Sequence, residues 1–380
     1  MANSDLVFVR REMVAELEPP HLSTGVLGWM RRNLFSNWWN SLLTLIGVYL
    51  AYVIFVPIFE FTIVNAVWQG SGREDCLQRE GQETVGACWA YVGAKLGQFV
   101  YGRYPDAERW RVNLVFFMLV ASLVPMAIPA IPGKNWNAIF LLVIFPVATF
   151  VLLIGGWFGL EHVETPLWGG LLVTLVVAMT GIVASLPLGV PLALGRRSKM
   201  PVVQLFSIIF IEFWRGVPLI TVLFMASVVL PLFLPEGVNF DKLLRALIGV
   251  ALFNAAYMAE VVRGGLQAIP RGQFEGAQAL GLGYWQMMRL IVLPQALKLV
   301  IPGIVNSFIA LFKDTTLVLI IGLFDLLGII QLSFTDPTWA TPTQSHTAYV
   351  FAALIYWVFC FSMSRYSMFM EQRLSAGRRR

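Results

Sequence analysis

Residues 33–59, 112–133, 135–160 and 165–195 each run without a single Asp, Glu, Lys or Arg. Every one of these stretches exceeds the ~20 residues a helix needs to cross the hydrocarbon core of a membrane. In that core the backbone must satisfy its own hydrogen bonds, which leaves helices and closed barrels. No strand-like alternation is visible, so the sequence predicts an all-α, polytopic bundle of transmembrane helices. The charged share agrees: 13% of the 380 residues, against the ~25% of a soluble protein.

Eight spans are predicted, at 40–67, 113–132, 136–157, 167–195, 204–234, 243–262, 297–323 and 346–366. Lys and Arg collect on cytoplasmic loops. Arg31 and Arg32, before the first span, therefore put the N-terminus inside. Lys134, the basic turn 196–199, residues 263–298 and the terminal Arg378, Arg379 and Arg380 then fall inside too, and the C-terminus is cytoplasmic. The loop 69–111 falls outside although it holds six Lys/Arg and six Asp/Glu, because long loops translocate largely regardless of charge. The net charge of +5 is accounted for by this loop bias and does not indicate nucleic acid.

Within the outer loop Cys76 and Cys88 stand as a disulfide or as two free thiols, and Cys360 lies in the last span. Three cysteines and three scattered histidines give no metal-ligand spacing. The chain divides near residue 160. Residues 1–160 carry the N-terminal tail, three helices and the loop 69–111. Residues 161–380 carry five helices, the charged loop 263–298 and every recognisable motif.

That charged loop includes EGAQALGLGYWQMMRLIVLP at 275–294. Glu275, Ala277, Gly281, Ile291, Leu293 and Pro294 occur in the order and spacing of the EAA loop, with Gly276 where alanine is usual. The segment thereby resembles the permeases of ATP-binding-cassette (ABC) importers. FWRGVPLI (213–220), AAYMAEVVRGGLQAIPRGQFEGA (255–277) and LFKDTTLVLIIG (311–322) are similar to the polar amino-acid group, the histidine and glutamine type. With three extra N-terminal helices, the length resembles the permeases of general L-amino-acid importers.

The resemblance implies a type I importer core in a bacterial inner membrane and a short coupling helix that docks on an ABC ATPase dimer. It also implies a second, non-identical permease and a periplasmic amino-acid-binding protein. Glu275, Gly276, Ala277, Gly281 and Pro294 become the coupling residues. The small residues 276, 277 and 279 predict a slim helix over 275–280, ended by Gly281, since glycine is favoured just past a helix end. Gly276 costs such a helix ~1 kcal/mol relative to alanine. The chain has no G-x-x-x-x-G-K-[ST] phosphate loop, so no cofactor is expected in it. ATP and Mg belong to the ATPase, and this subunit is not itself an enzyme.

Ionisable groups inside a membrane are costly and tend to face cavities or one another. Lys313, Asp314 and Thr315 interrupt an apolar run; they line the amino-acid passage, or form a structural pair or an interfacial helix end. Asn254, Tyr257 and Glu260 share one helical face, which lines a passage unless Glu260 simply pairs with Arg263. Asn306 is a candidate of the same kind, for the pathway or for interhelical bonding. Gly216 and Pro218 should break the fifth span, with Arg215 just before the break as anchor or pathway residue. Lipid faces the bundle, and Trp29, Trp38, Trp39 and Trp68 suit an interfacial belt. An ion-coupled secondary amino-acid transporter would explain the spans and buried charges, but not the EAA-like loop.

Overall fold

The computed structural model describes residues 25–77, 84–128, 131–233, 235 and 240–376; the terminal Arg378, Arg379 and Arg380 lie outside them. Among these residues the chain is helical, with isolated bridges in place of strands. By backbone proximity it forms two compact units. The first contains the described residues 25–66 and 84–86, the second the rest.

In the first unit α1 (Gly25–Asn33) leads into α2 (Trp38–Val64), the first apolar span. Asn37 caps α2 by accepting the Asn40 amide at 2.8 Å, and Trp38 stacks on Trp39. Helix α2 is apolar on every side, as a lipid-facing span must be.

The second unit opens with α3 (Trp89–Tyr101), a helix inside the predicted outer loop that the sequence reading did not resolve. Spans α4 (Asp106–Ala127), α5 (Lys134–Ile154) and α6 (Leu171–Arg196) follow. Next come α7 (Pro201–Gly216) and α8 (Leu219–Phe233), which meet at 101°. The fifth predicted span is therefore broken at Gly216–Pro218, because Pro218 has no N–H to continue the ladder of α7. Span α9 (Lys242–Gln267) leads to a short α10 (Arg271–Ala279) and a helical return over 284–299. Span α12 (Ile301–Ile321) begins after a step at Val300; calling that return α11, the chain ends with α13 (Leu326–Thr335) and the span α14 (Gln344–Arg373). Seven single spans, or eight with the bent pair, agree with the sequence. The seventh span, predicted as continuous over 297–323, is interrupted at Val300.

Helices α6 and α9 form the spine of this unit. A Cβ on Gly189 would lie 2.9 Å from the Met258 Cβ and 3.0 Å from the Ala259 amide nitrogen. Only glycine admits that approach, the small-residue packing that membrane helices use in place of a hydrophobic drive. Val115 and Leu119 of α4 and Phe145 and Leu153 of α5 pack in one cluster with Leu172, Val173 and Val177 of α6.

At the other end of α6, residues 88–95 of the 69–111 loop dock on α13 and the start of α14. The Cys88 amide donates to Thr347 Oγ1 at 3.0 Å, Tyr91 hydrogen-bonds Ser333, and Lys95 pairs with Asp336. Cys76 and Cys88 are joined as a disulfide, so the bonded alternative holds. Asp325, fully buried, caps α13 by accepting the Gly328 and Leu327 amides and also accepts from the Tyr356 hydroxyl at 3.0 Å. Burial pushes its carboxyl upward, and those donors pull against the rise. The sequence offered one signal for this cap, an Asp directly before the apolar run 326–330.

Candidate functional site

Two groupings bring predicted site residues together, both at the end of the bundle where α6, α7 and α9 meet the 263–298 loop.

The first is α10. It begins at Arg271, after Pro270, rather than at Glu275, because Pro270 is held at φ −58° and hands the chain straight into the first turn. Its end matches the sequence expectation. Gly281 takes φ +74°, its amide donates to the Gln278 carbonyl at 2.9 Å, and the Leu282 amide reaches back to Ala277 at 3.2 Å. This double cap needs a left-handed residue, which is the reason for glycine there.

The helix has an inner and an outer side. Ala277 is buried among Phe274, Leu282, Met287 and Met288, and the Arg197 guanidinium lies over the Phe274 ring at 5.8 Å. Gln273 and Gln295 tie α10 to the returning segment at 3.0 Å. Glu275 and Gly276 face outward, and a Cβ on Gly276 would meet nothing within 4 Å. Next to them Leu280 is 77% and Trp285 72% exposed. Pro294 stands in the first turn of Leu293–Leu299, where a missing N–H costs nothing. Its part there is to shape the return towards α12. Of the five residues predicted to couple, the structure thus sets Glu275, Gly276 and Gly281 on the outer side of α10, Ala277 on its inner side and Pro294 on the return.

The second grouping is a charge cluster around Glu260, which is 14% exposed. Its Oε1 accepts Arg196 Nη1 at 2.9 Å. Its Oε2 accepts Arg263 Nη2 at 2.7 Å and lies 3.6 Å from Arg215 Nη1. Arg196 also pairs with Glu212 at 2.7 Å. The Glu260–Arg263 pairing is therefore present, and Arg215 sits in an ion pair with its guanidinium 5.7 Å from the Tyr257 ring. Arg196 and Glu212 were not singled out from sequence. The available signal was Glu212 alone in the apolar run 202–214.

The remaining pathway candidates distribute unevenly. Asn254 donates to its own helix at the Val250 carbonyl, 2.9 Å, while Tyr257 is 39% exposed on the same face of α9. On α12, Asn306, Ala310 and Lys313 are exposed at helical spacing and form one stripe. No ion pair joins Lys313 to Asp314, because adjacent residues on a helix diverge. The helix instead tightens just after Asp314 into the narrower turn Thr315–Ile321. Thr315 does not share the exposed stripe; it is 1% exposed and its hydroxyl donates to the Phe312 carbonyl at 2.8 Å. Among the described residues no three His, Cys, Asp or Glu converge as a metal site.

Residues 185–376 match the family described as "Binding-protein-dependent transport system inner membrane component". The chain is 54% identical over 358 residues to the inner membrane amino-acid ABC transporter permease protein YhdY of Escherichia coli K12, covering 94% of this chain and 95% of that one. It is 42% identical to the glutamate/glutamine/aspartate/asparagine transport system permease protein BztC of Rhodobacter capsulatus, over 99% of this chain and all of that one. A crystal structure of an amino acid ABC transporter with histidines aligns with 54% of this chain and 92% of its own at 29% identity and a TM-score of 0.47.

Proposed function

This chain belongs to the inner membrane components of binding-protein-dependent transport systems, and from that premise we propose that it is a permease subunit moving L-amino acids inward in an ATP-driven importer. The observation that carries the coupling half of this reading is the outer side of α10. Leu280 and Trp285 are large, apolar and exposed outside every span, beside Glu275 and Gly276. An apolar patch rimmed by polar residues at such a place suits a protein partner. In our reading the partner is an ABC ATPase dimer, which supplies ATP, Mg and hydrolysis, and whose movement reaches the bundle through α10.

A second permease, similar but not identical, completes the passage. The exposed Asn306–Lys313 stripe supports this, since a charge facing mid-membrane lipid costs ~2.5–3.5 kcal/mol and needs either a partner helix or water beside it. Asn254, Tyr257, Glu260 and Asp314 border the same route, and a periplasmic amino-acid-binding protein delivers the substrate. Residues 161–380 act as the importer core and 1–160 as an addition to it; the family match over 185–376 supports that division. Both termini lie in the cytoplasm, a reading supported by the Cys76–Cys88 disulfide, which belongs in an oxidising compartment. The ion-coupled alternative draws no support from the relatives, whose names are those of ABC permeases and transport-system permeases.

Gly281→Leu tests the reading. Forcing a branched residue into the left-handed cap costs about 1–2 kcal/mol locally and displaces α10 while leaving the spans intact. Amino-acid uptake into vesicles driven by internal ATP, and co-purification of the ATPase, should both fall in the variant. Undiminished uptake, or uptake in the wild type that follows a proton or sodium gradient and ignores ATP, overturns the proposal.

A further inference from the structure

Between α4, α5, α6 and the first turns of α9 lies a cavity of about 680 Å³ with apolar walls. Its lining on α6 runs from Leu172 to Ala184. Twelve residues at 1.5 Å each make about 18 Å of depth, slightly more than one leaflet of a ~30 Å hydrocarbon core. A void of that size does not stay empty in a close-packed bundle, and water needs several polar partners to fill one.

Charged groups are confined to one end, with Thr180 a polar side chain further down the α6 wall. His162, Glu164 and Asp241 stand at the mouth, on the segments that join α5 to α6 and lead into α9. Glu164 is exposed, and Asp241 accepts from Thr165 and from the Leu244 amide. Arg103 donates to the Pro166 carbonyl at the same rim, at 3.4 Å. Two wall residues near this end hold buried polar atoms with no hydrogen-bond partner, the Thr149 hydroxyl and the Trp168 indole N–H. Trp168 is only 6% exposed. Thr149 lies five residues before the end of α5, about 7.5 Å below it. A buried donor left unmade is expensive, so both point to an acceptor-bearing occupant at the boundary between head group and acyl chain.

We propose that this cavity holds a phospholipid with a primary-ammonium head group, one acyl chain filling the apolar depth. Its ester carbonyls accept from Thr149 and Trp168, its ammonium group meets Glu164 and Asp241, and its phosphate lies towards Arg103. A free amino acid fits poorly, because the walls offer it no charged partner below the mouth. The lipid fills the space between the extra helices α4 and α5 and the importer core, and joins them there. The proposal is independent of what the bundle transports.

The test is native mass spectrometry of the full-length chain, purified with its subunits and titrated with phosphatidylethanolamine or phosphatidylglycerol. Phosphatidylethanolamine should be retained in preference, and Glu164→Gln, a surface change that leaves Asp241 in place, should reduce the preference while leaving the melting temperature unchanged. Thr149→Val with Trp168→Phe should weaken retention about thirtyfold, two hydrogen bonds of about 1 kcal/mol each at 1.4 kcal/mol per tenfold. Ala184→Phe, which fills the deep end, should abolish it. Equal retention of both lipids by the wild type refutes the head-group assignment. Retention unchanged in the Thr149→Val/Trp168→Phe and Ala184→Phe variants shows lipid bound elsewhere and refutes the site.

Discussion

Glu260→Gln removes the carboxylate that three arginines share. In the wild type, Glu260 accepts charge-assisted hydrogen bonds from Arg196 and Arg263 and pairs with Arg215. Arg196 keeps Glu212 after the change, whereas no other acid pairs with Arg215 or Arg263 among the described residues. A hydrogen bond to a charged group contributes about 1.5–3 kcal/mol and a neutral one about 1 kcal/mol, so each of three bonds loses about 1 kcal/mol. The arginine side chains are 23–36% exposed. Water therefore recovers part of that loss, leaving about 2 kcal/mol.

At ~2.1 cal/mol/K per residue over 380 residues, about 1 °C per kcal/mol, the melting temperature should drop by about 2–3 °C. The assay is loss of the monodisperse peak on size-exclusion chromatography after heating in detergent. Combining Glu260→Gln with Arg263→Gln should cost less than the sum of the singles by about 1 kcal/mol, since the second change removes a charge the first left unpaired. An unchanged melting temperature in Glu260→Gln, or strict additivity in the pair, would refute the view that this cluster fastens α6, α7 and α9 together.

Gly189→Val should cost about 1–3 kcal/mol by forcing α6 away from the Met258–Ala259 backbone, read as a lower yield of monodisperse protein; an unaffected yield would contradict the close approach. Cys88→Ser opens a loop closed over 12 residues and should cost about 3 kcal/mol, with faster proteolysis confined to 67–105. The Asp336 carboxyl is held down at about 2 by the hydrogen bond from Lys95. Its folded value lies below the unfolded 3.8, so the stability it contributes is complete above that value and is lost as pH falls through about 2. The difference in melting temperature between wild type and Asp336→Asn should accordingly be constant from pH 5 to 8 and shrink steadily below pH 4. A difference that grows on acidification would invert the sign and remove Lys95–Asp336 as the clamp on α3.

Span count follows from sequence alone, because membrane insertion depends on an additive, local quantity, about twenty consecutive apolar residues. The end of α10 is equally local, since Gly281 is the one residue there that takes φ +74° without strain. The break at Pro218 follows from a missing backbone donor in the residue itself. Three-dimensional packing decided the rest. Whether Cys76 meets Cys88 across 12 residues, whether α3 forms inside a loop of mixed charge, and which arginine reaches Glu260 depend on how the chain packs in space. Thr315 and Lys313 differ by two positions, yet one turns into the core and the other outward, because helical rotation against α6 and α14 sets the facing of each. Sequence determined the apolar spans and the Gly281 and Pro218 breaks through local chemistry. Only the tertiary structure decided which polar groups meet, because pair energies in a low-dielectric interior depend on separation and burial.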